Sequence, residues 1–181
     1  MRQPTRWIAL AVAVVVALVG VVLATQVGGD PRADATKSQL VGELAPDFRV
    51  TTLDGQAITT ADLAGKAVIV NFWNTWCVPC QEELPALRSF ADAHADEPDF
   101  AFLGIVRDDT KTAVQAYEPA KTIDWTVVTD PGAKAALAFG TRGQPETFAI
   151  TPDGFVAGAQ IGPSTRADLE TLLDAARGRL R

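Results

Sequence analysis

The only two cysteines of the chain stand close together in the motif Trp76-Cys77-Val78-Pro79-Cys80. With two residues between them, their sulfurs can close a disulfide within one helical turn, and the thiolate is the form of cysteine that attacks a disulfide. A helix beginning here would stabilise the thiolate, because a helix N-terminus carries partial positive charge and unpaired N–H groups. The motif therefore predicts thiol–disulfide exchange, with Cys77 as the attacking sulfur at an exposed helix tip and Cys80 as the resolving sulfur one turn inside.

Cysteine pairs also serve as structural disulfides and in metal sites. A bridge over two residues closes so small a loop that it constrains the unfolded chain only slightly. A zinc site needs two more Cys or His ligands, and the only histidine is His94, which we expect at the surface. A Cu(I) site needs just two thiolates, so a non-catalytic copper-binding module stays open as an alternative. For the exchange reaction itself we expect no cofactor and no metal.

The composition of the chain excludes several classes of protein. Of the 181 residues, 48 % are hydrophobic and 21 % are charged, which is typical of a globular domain and not of a disordered or fibrous chain. The net charge is −6. A nucleic-acid partner is therefore not expected, because neutralising phosphates requires clustered Lys and Arg.

An uncharged, mostly aliphatic run extends from Trp7 to Ala24. As a helix it would be about 27 Å long, close to the thickness of the hydrocarbon core of a bilayer. Arg2 and Arg6 precede it, and the positive-inside rule then keeps the N-terminus in the cytoplasm. We expect residues 1–27 to form a single-pass signal anchor in the cell membrane, with the rest of the chain on the extracytoplasmic side.

A cleaved signal peptide is the competing interpretation of the same run. Its apolar stretch is usually shorter, about 7–15 residues, and is followed closely by a small-x-small cleavage site. Here the only Ala-x-Ala downstream, at residues 33–35, lies well beyond the end of the run. After the anchor we expect a tether at residues 28–41 and one domain at residues 42–181.

Strand and helix patterns alternate around the cysteine motif. A continuous apolar run at residues 67–72 predicts a strand buried on both faces, directly before the helix that the cysteines begin. Asp-Gly turns predict a hairpin at each end of the domain. Further patterns predict helices at about 78–94, 110–120, 133–139 and 165–180, and strands at 48–52, 57–59, 100–106, 125–128, 147–150 and 155–161. Such an order predicts a three-layer α/β/α domain.

Three motifs together are similar to those of the TlpA/ResA/DsbE-type membrane-anchored thiol–disulfide oxidoreductases of the thioredoxin superfamily. They are Val-Asn-Phe-Trp-Asn-Thr-Trp-Cys-Val-Pro-Cys at 70–80, Gly-x-x-Ala-Pro-Asp-Phe at 42–48, and Gly-Gln-Pro-Glu-Thr-Phe at 143–148. The resemblance covers about residues 40–180. It implies a thioredoxin-like fold with an N-terminal β-hairpin and a central helix–strand insertion at about 107–129.

The resemblance also implies roles for residues that local patterns do not reveal. Pro145 matches the family's cis-proline beside the cysteine pair, and the backbone of Gln144 would then face the substrate. Trp76 matches an exposed platform for the partner, whereas Trp73 is expected in the core. Glu146, directly after the proline, is a further candidate for substrate binding.

An acidic residue near the cysteines is expected to move protons during exchange. Glu83 lies one turn after Cys80, and in the cytochrome-maturation branch of the family a glutamate at this spacing modulates proton transfer. Asn71 stands where cytosolic thioredoxin has a buried acid, and an amide cannot take up a proton at neutral pH. If a base assists Cys80, it must therefore be Glu83, Glu146 or water, and a solvated surface carboxylate remains the alternative for Glu83.

The resemblance implies an enzyme that reduces partner disulfides outside the cytoplasm. Its partners would be protein thiols and disulfides, such as apocytochrome c in cytochrome c maturation or a copper-assembly protein, with a membrane electron donor of the DsbD/CcdA type. Disulfide donation is the opposite direction and stays open, because direction depends on the reduction potential. A peroxiredoxin is disfavoured, because Val70 and Asn74 stand where its reactive loop has Pro and Thr or Ser.

Overall fold

The computed structural model describes residues 7, 10, 12–19, 38–121 and 123–178. Two compact units, Met1–Thr36 and Lys37–Arg181, make up the chain. In the first unit residues 12–19 are helical. No helix within the described ranges is long and apolar enough to cross a membrane. Most of the predicted anchor at 1–27, most of the predicted tether and the predicted end of the last helix lie outside the described residues.

A seven-stranded mixed sheet forms the centre of the second unit. The spatial order of the strands is β2-β1-β5-β4-β3-β6-β7. The strands are β1 (Arg49–Thr52), β2 (Ala57–Thr59), β3 (Ala67–Trp73), β4 (Phe100–Val106), β5 (Thr126–Thr129), β6 (Glu146–Ile150) and β7 (Val156–Ile161). Strands β3, β4 and β5 run parallel, and antiparallel hairpins form both edges. Every residue of β3 is buried, as its continuous apolar run predicts.

The two faces of the sheet are covered by different helices. The helices are α1 (Val78–His94), α2 (Lys111–Lys121), α3 (Lys134–Ala138) and α4 (Arg166–Ala176). One core cluster packs the inner faces of α1 and α4 against β3, β4 and β6, while the cluster on the other face includes α3 and the N-terminal hairpin. Helix α4 begins at the predicted capping box, in which Thr165 and Asp168 satisfy each other's backbone N–H groups.

The predicted central insertion consists of α2 and β5. Strand β5 lies between β4 and the hairpin strand β1, so the insertion widens the sheet from within. Residue Asn71 of β3 pairs with Gly104 on one side and with Thr147 on the other. This register brings the end of β3, the end of β4 and the beginning of β6 together at the edge where α1 starts.

His94, which we expected at the surface, is instead largely covered. Its side chain is 12 % exposed and bridges two carboxylates, with Nδ1 2.9 Å from Glu97 and Nε2 3.1 Å from Glu170. The hydrogen bond from Arg177 to Glu97 lowers the pKa of that carboxyl. The expectation was wrong because an acidic local sequence does not reveal that α4 packs across the end of α1.

Candidate active site

Cys77 and Cys80 are joined by a disulfide at the N-terminus of α1. Cys77 is the N-cap residue, and its Sγ accepts a hydrogen bond of 3.2 Å from the backbone N–H of Cys80. Pro79 lies in the first turn, where the lack of an N–H costs nothing because the N–H groups there have no helical partner. A thiolate at Cys77 would therefore face both a backbone donor and the positive end of the helix dipole.

The predicted contrast in exposure between the two cysteines is wrong for this disulfide state. Each cysteine is only 4 % exposed, whereas their neighbours Trp76 and Val78 are 58 % and 62 % exposed. The helix tip is thus at the surface, but the cysteines themselves belong to a buried cluster with Trp73 and Val106, and the carbonyl of Gln144 lies against Cys77. What distinguishes Cys77 is its N-cap position and its contact with that carbonyl.

The loop before β6 places a carbonyl group against the disulfide. The Sγ of Cys77 lies 3.7 Å from the backbone oxygen of Gln144. The peptide bond between Gln144 and Pro145 is cis, as the resemblance implies. Gln144 is half-buried and Pro145 is buried.

Glu146 is placed differently from the expectation that it binds substrate directly. Its side chain is 2 % exposed, and its Oε1 accepts hydrogen bonds from the backbone N–H groups of Arg142 (2.8 Å) and Gly143 (3.0 Å). A carboxylate turned inward in this way cannot contact a partner protein. Glu146 instead holds the loop that carries Gln144, so its place in the site is that of a positioning residue.

The two tryptophans near the site occupy the expected environments. Trp76 is exposed beside the disulfide, and its indole N–H donates a hydrogen bond of 3.2 Å to the backbone oxygen of Asp108. Trp73 is 5 % exposed and belongs to the same core cluster as both cysteines. An anchored aromatic ring at the rim offers a flat apolar surface to a partner.

Glu83 is fully enclosed and hydrogen-bonded on both oxygens. Its Oε1 accepts from Asn71 Nδ2 at 2.9 Å, and its Oε2 accepts from the backbone N–H of Ser164 at 2.8 Å. Burial raises the pKa of Glu83 to about 7, although both hydrogen bonds act in the opposite direction. At neutral pH this carboxyl can therefore both accept and release a proton, and the surface alternative for Glu83 is wrong.

Two residues of this network were not found from the sequence. Asn71 Nδ2 also donates to Thr147 Oγ1 at 3.0 Å, and that hydroxyl lies 3.4 Å from Ser164 Oγ. Thr147 follows Pro145 by two residues, so strand alternation could have placed it beside Asn71 once the pairing of β3 and β6 was known. Ser164 precedes the capping box of α4, and nothing in the local sequence links it to Glu83.

The described residues contain no group of three or more His, Cys, Asp or Glu side chains that could hold a metal ion. The groups that the structure brings together at this site are two cysteines, a helix N-terminus and a buried carboxyl. Such a set can exchange a disulfide with another molecule and move a proton as it does so.

Comparison with known proteins agrees with this chemistry. The model of the AhpC/TSA family matches residues 41–159. The chain is 36 % identical over 141 residues to the thiol-disulfide oxidoreductase ResA of Bacillus thuringiensis (strain Al Hakam), which covers 78 % of this chain and 80 % of the relative.

Two solved structures extend the similarity to the fold. A thiol:disulfide interchange protein of the thioredoxin family from Chlorobium tepidum TLS is 33 % identical, with a TM-score of 0.64 over 74 % of this chain and 94 % of that one. A secreted disulfide oxidoreductase of Mycobacterium tuberculosis, described as homologous to E. coli DsbE, is 25 % identical with a TM-score of 0.61, over 71 % and 95 % of the two chains. The domain therefore has a thioredoxin-like α/β fold.

Proposed function

The chain belongs to the AhpC/TSA family and is a thiol–disulfide oxidoreductase of the thioredoxin superfamily; we propose that Cys77 and Cys80 are its active site. The observation that carries this proposal is the disulfide at the N-terminus of α1, with the Sγ of Cys77 beside the carbonyl of Gln144. The carbonyl and the exposed Trp76 give an extended partner segment a backbone acceptor and an apolar surface next to the reacting sulfur.

The exchange proceeds in two steps from the reduced enzyme. The thiolate of Cys77 attacks one sulfur of a partner disulfide, forms a mixed disulfide and displaces the other partner sulfur as a thiolate. The thiolate of Cys80 then attacks the Sγ of Cys77 and releases the second partner sulfur. The partner gains two electrons and, on protonation, two protons, while the enzyme returns to the Cys77–Cys80 disulfide. Glu83 takes the proton of Cys80 as its thiol becomes the attacking group.

We propose that the direction is reduction of partner proteins in cytochrome c maturation or a related assembly pathway. Glu83 and the Pro-Glu-Thr-Phe sequence that includes Pro145 support it, because the cytochrome-maturation branch of the resembling family carries both. Disulfide donation is the alternative direction. The same family resemblance supports apocytochrome c, or a copper-assembly protein, as the partner.

The reduction potential of the full-length chain tests the direction. We expect a value near that of thioredoxin, about −270 mV, when the Cys77–Cys80 couple is equilibrated with defined thiol–disulfide buffers. A potential near that of the periplasmic oxidant DsbA, about −120 mV, would contradict reduction and establish disulfide donation.

We further propose that residues 1–27 anchor the protein in the cell membrane with the domain outside the cytoplasm. The apolar run from Trp7 to Ala24 and the basic residues Arg2 and Arg6 support this arrangement. The domain would then draw its electrons from a membrane donor of the DsbD/CcdA type, because the reducing pool of the cytoplasm is on the other side.

The topology makes a prediction for the intact protein. We expect the membrane fraction to contain the uncleaved chain, and a protease added outside the cytoplasmic membrane to remove the domain. Intact-mass analysis before and after the protease provides the measurement. A mature species that starts near Thr36 would contradict the uncleaved anchor but would still agree with export of the domain. A domain that the added protease does not remove would contradict both the anchor and the export.

A further inference from the structure

The loop that leads into Cys77 is tied to the loop that follows β4. Asn74 exchanges two hydrogen bonds with the backbone of Asp108, through its Nδ2 (3.4 Å) and its Oδ1 (3.3 Å). The indole N–H of Trp76 donates to the same backbone oxygen of Asp108. Because Cys77 itself donates its N–H to the carbonyl of Asn74, the position of the N-cap depends on this connection.

The carboxylate of Asp109 makes the central contact between the two loops. Its Oδ2 accepts from the backbone N–H of Thr75 at 3.0 Å and also from the hydroxyl of Thr75. Its Oδ1 accepts from the N–H of Thr110, just before α2. The carbonyl of Thr75 in turn accepts from Gln81 Nε2 at 2.7 Å. Thr75 is thus held on its N–H, its hydroxyl and its carbonyl, and Asp109 supplies two of these three contacts.

Asp108 provides a matched comparison for Asp109. The two residues are adjacent, but Asp108 meets the active-site loop through its backbone alone. Its carboxylate has no hydrogen bond or ion pair with any residue that the structure describes, and Asp108 is exposed whereas Asp109 is half-buried. Replacing each side chain in turn therefore separates the contact from the general effect of removing one negative charge.

We propose that Asp109 is a positioning residue for Cys77, which fixes the loop of residues 74–76 and whose negative charge restrains formation of the Cys77 thiolate. The inference rests on the proposed function of Cys77 as the attacking sulfur. The Oδ2 of Asp109 lies 3.0 Å from the Thr75 nitrogen, and Thr75 is two residues before Cys77, so the charge is within about 11 Å of the Cys77 backbone. This distance is well below the Debye length of about 30 Å at 0.01 M salt, so the effect of the charge is measured at that ionic strength, where solvent ions screen it little.

The effect of the charge is measured on Cys77 alone in the full-length chain carrying Cys80→Ala. Asp109→Asn keeps a side-chain acceptor for Thr75 and removes the charge. We expect its alkylation by iodoacetamide at pH 6 to be about threefold faster than that of the Cys80→Ala parent, because a unit charge at such a distance shifts a thiol pKa by a few tenths. The rates should converge at a pH where the thiol is fully ionised.

Asp108→Asn in the same background is the control. We expect less than half of the Asp109→Asn acceleration, because the Asp108 side chain is exposed and does not contact the loop. If Asp109→Asn leaves the pH profile unchanged, or if Asp108→Asn shifts it equally, the proposal is wrong.

The positioning effect is measured with Cys80 intact, as the rate of reduction of a peptide disulfide. Thr75→Val removes the hydroxyl, whereas Thr75→Ser keeps it. We expect Thr75→Val to lower kcat/KM about fivefold through an altered position of Cys77, and Thr75→Ser to restore most of the rate. Equal rates in the two variants, with equal midpoints of urea unfolding, would overturn the positioning role.

These outcomes are distinguishable from a failure of the proposed function. A wild-type chain that does not exchange a disulfide with the peptide would contradict the function of the cysteine pair. An active wild-type chain whose Asp109 and Thr75 variants behave like their controls would contradict only the inference about Asp109.

Discussion

Cys80→Ala is expected to accumulate mixed disulfides between Cys77 and its partner proteins and to lose turnover by at least about a thousandfold. The reason is that the second step of the exchange has no attacking thiolate once Cys80 is gone, while the N-cap Sγ of Cys77 and the N–H of residue 80 that faces it remain. The measurement is the rate of peptide-disulfide reduction, together with non-reducing electrophoresis of the partner proteins.

Cys77→Ala is the matched control for the assignment of the two sulfurs. It should lose turnover equally but form no mixed disulfides, because the remaining thiol lies in the third position of the helix, whereas the N-cap position and the contact with the Gln144 carbonyl belong to Cys77. If Cys77→Ala accumulates the adducts and Cys80→Ala does not, the two roles are reversed. Retained turnover in either variant would show that exchange does not use this pair.

Much of the fold could be predicted from local patterns of residues. The bounds of α1 and β4 agree with prediction, because a helix-start motif marks α1 and a continuous apolar run marks β4. The capping box at the start of α4 could also be predicted from the sequence, and the structure confirms it. The predicted 110–120 helix and 125–128 strand are each displaced by one residue, because polar residues at their ends belong equally well to a loop.

The environment of charged side chains was much harder to predict. Glu82 and Glu83 are neighbours of the same type, yet one is exposed and the other is buried against Asn71 and Ser164. That distinction depends on a contact across 81 positions of sequence. The predicted exposure of Cys77 was wrong for the same reason, because the loop that carries Gln144 is 67 positions away in the chain. The prediction for Glu146 was wrong for a local reason, because its carboxylate turns back onto the N–H groups of Arg142 and Gly143. Buried apolar positions can be predicted from the periodicity of the sequence. Whether a charged side chain is buried depends on contacts with distant segments, which local patterns do not show.

The buried carboxyl of Glu83 links the stability of the oxidised domain to pH. Its pKa is raised from 4.5 to about 7, mainly by burial. Between these values the folded protein keeps a proton that the unfolded chain has released. The stabilisation is therefore fully present below pH 4.5 and is lost as the pH rises through about 7. A shift of this size corresponds to about 3 kcal/mol.

Glu83→Gln is expected to abolish this dependence, because an amide does not ionise. The difference in free energy of unfolding between Glu83→Gln and the wild type should grow in favour of the variant by about 3 kcal/mol from pH 4 to pH 8. The new amide can still be satisfied, because Asn71 Oδ1 has no hydrogen-bond partner in the described structure and a flipped Asn71 would accept from the amide N–H of the variant side chain. Urea unfolding of the oxidised chain across this pH range provides the measurement.

Glu82→Gln separates the effect of burial from that of removing one charge from an acidic protein. Glu82 is exposed, so its substitution should leave the difference from the wild type nearly constant with pH. If both variants change in parallel, the pH dependence arises from overall charge and Glu83 is ionised in the fold at neutral pH. If only Glu83→Gln changes and the exchange rate also loses its inflection near pH 7, the proton held by Glu83 is the one that Cys80 gives up. A changed stability with an unchanged rate profile would leave Glu83 as a buried acid outside the reaction.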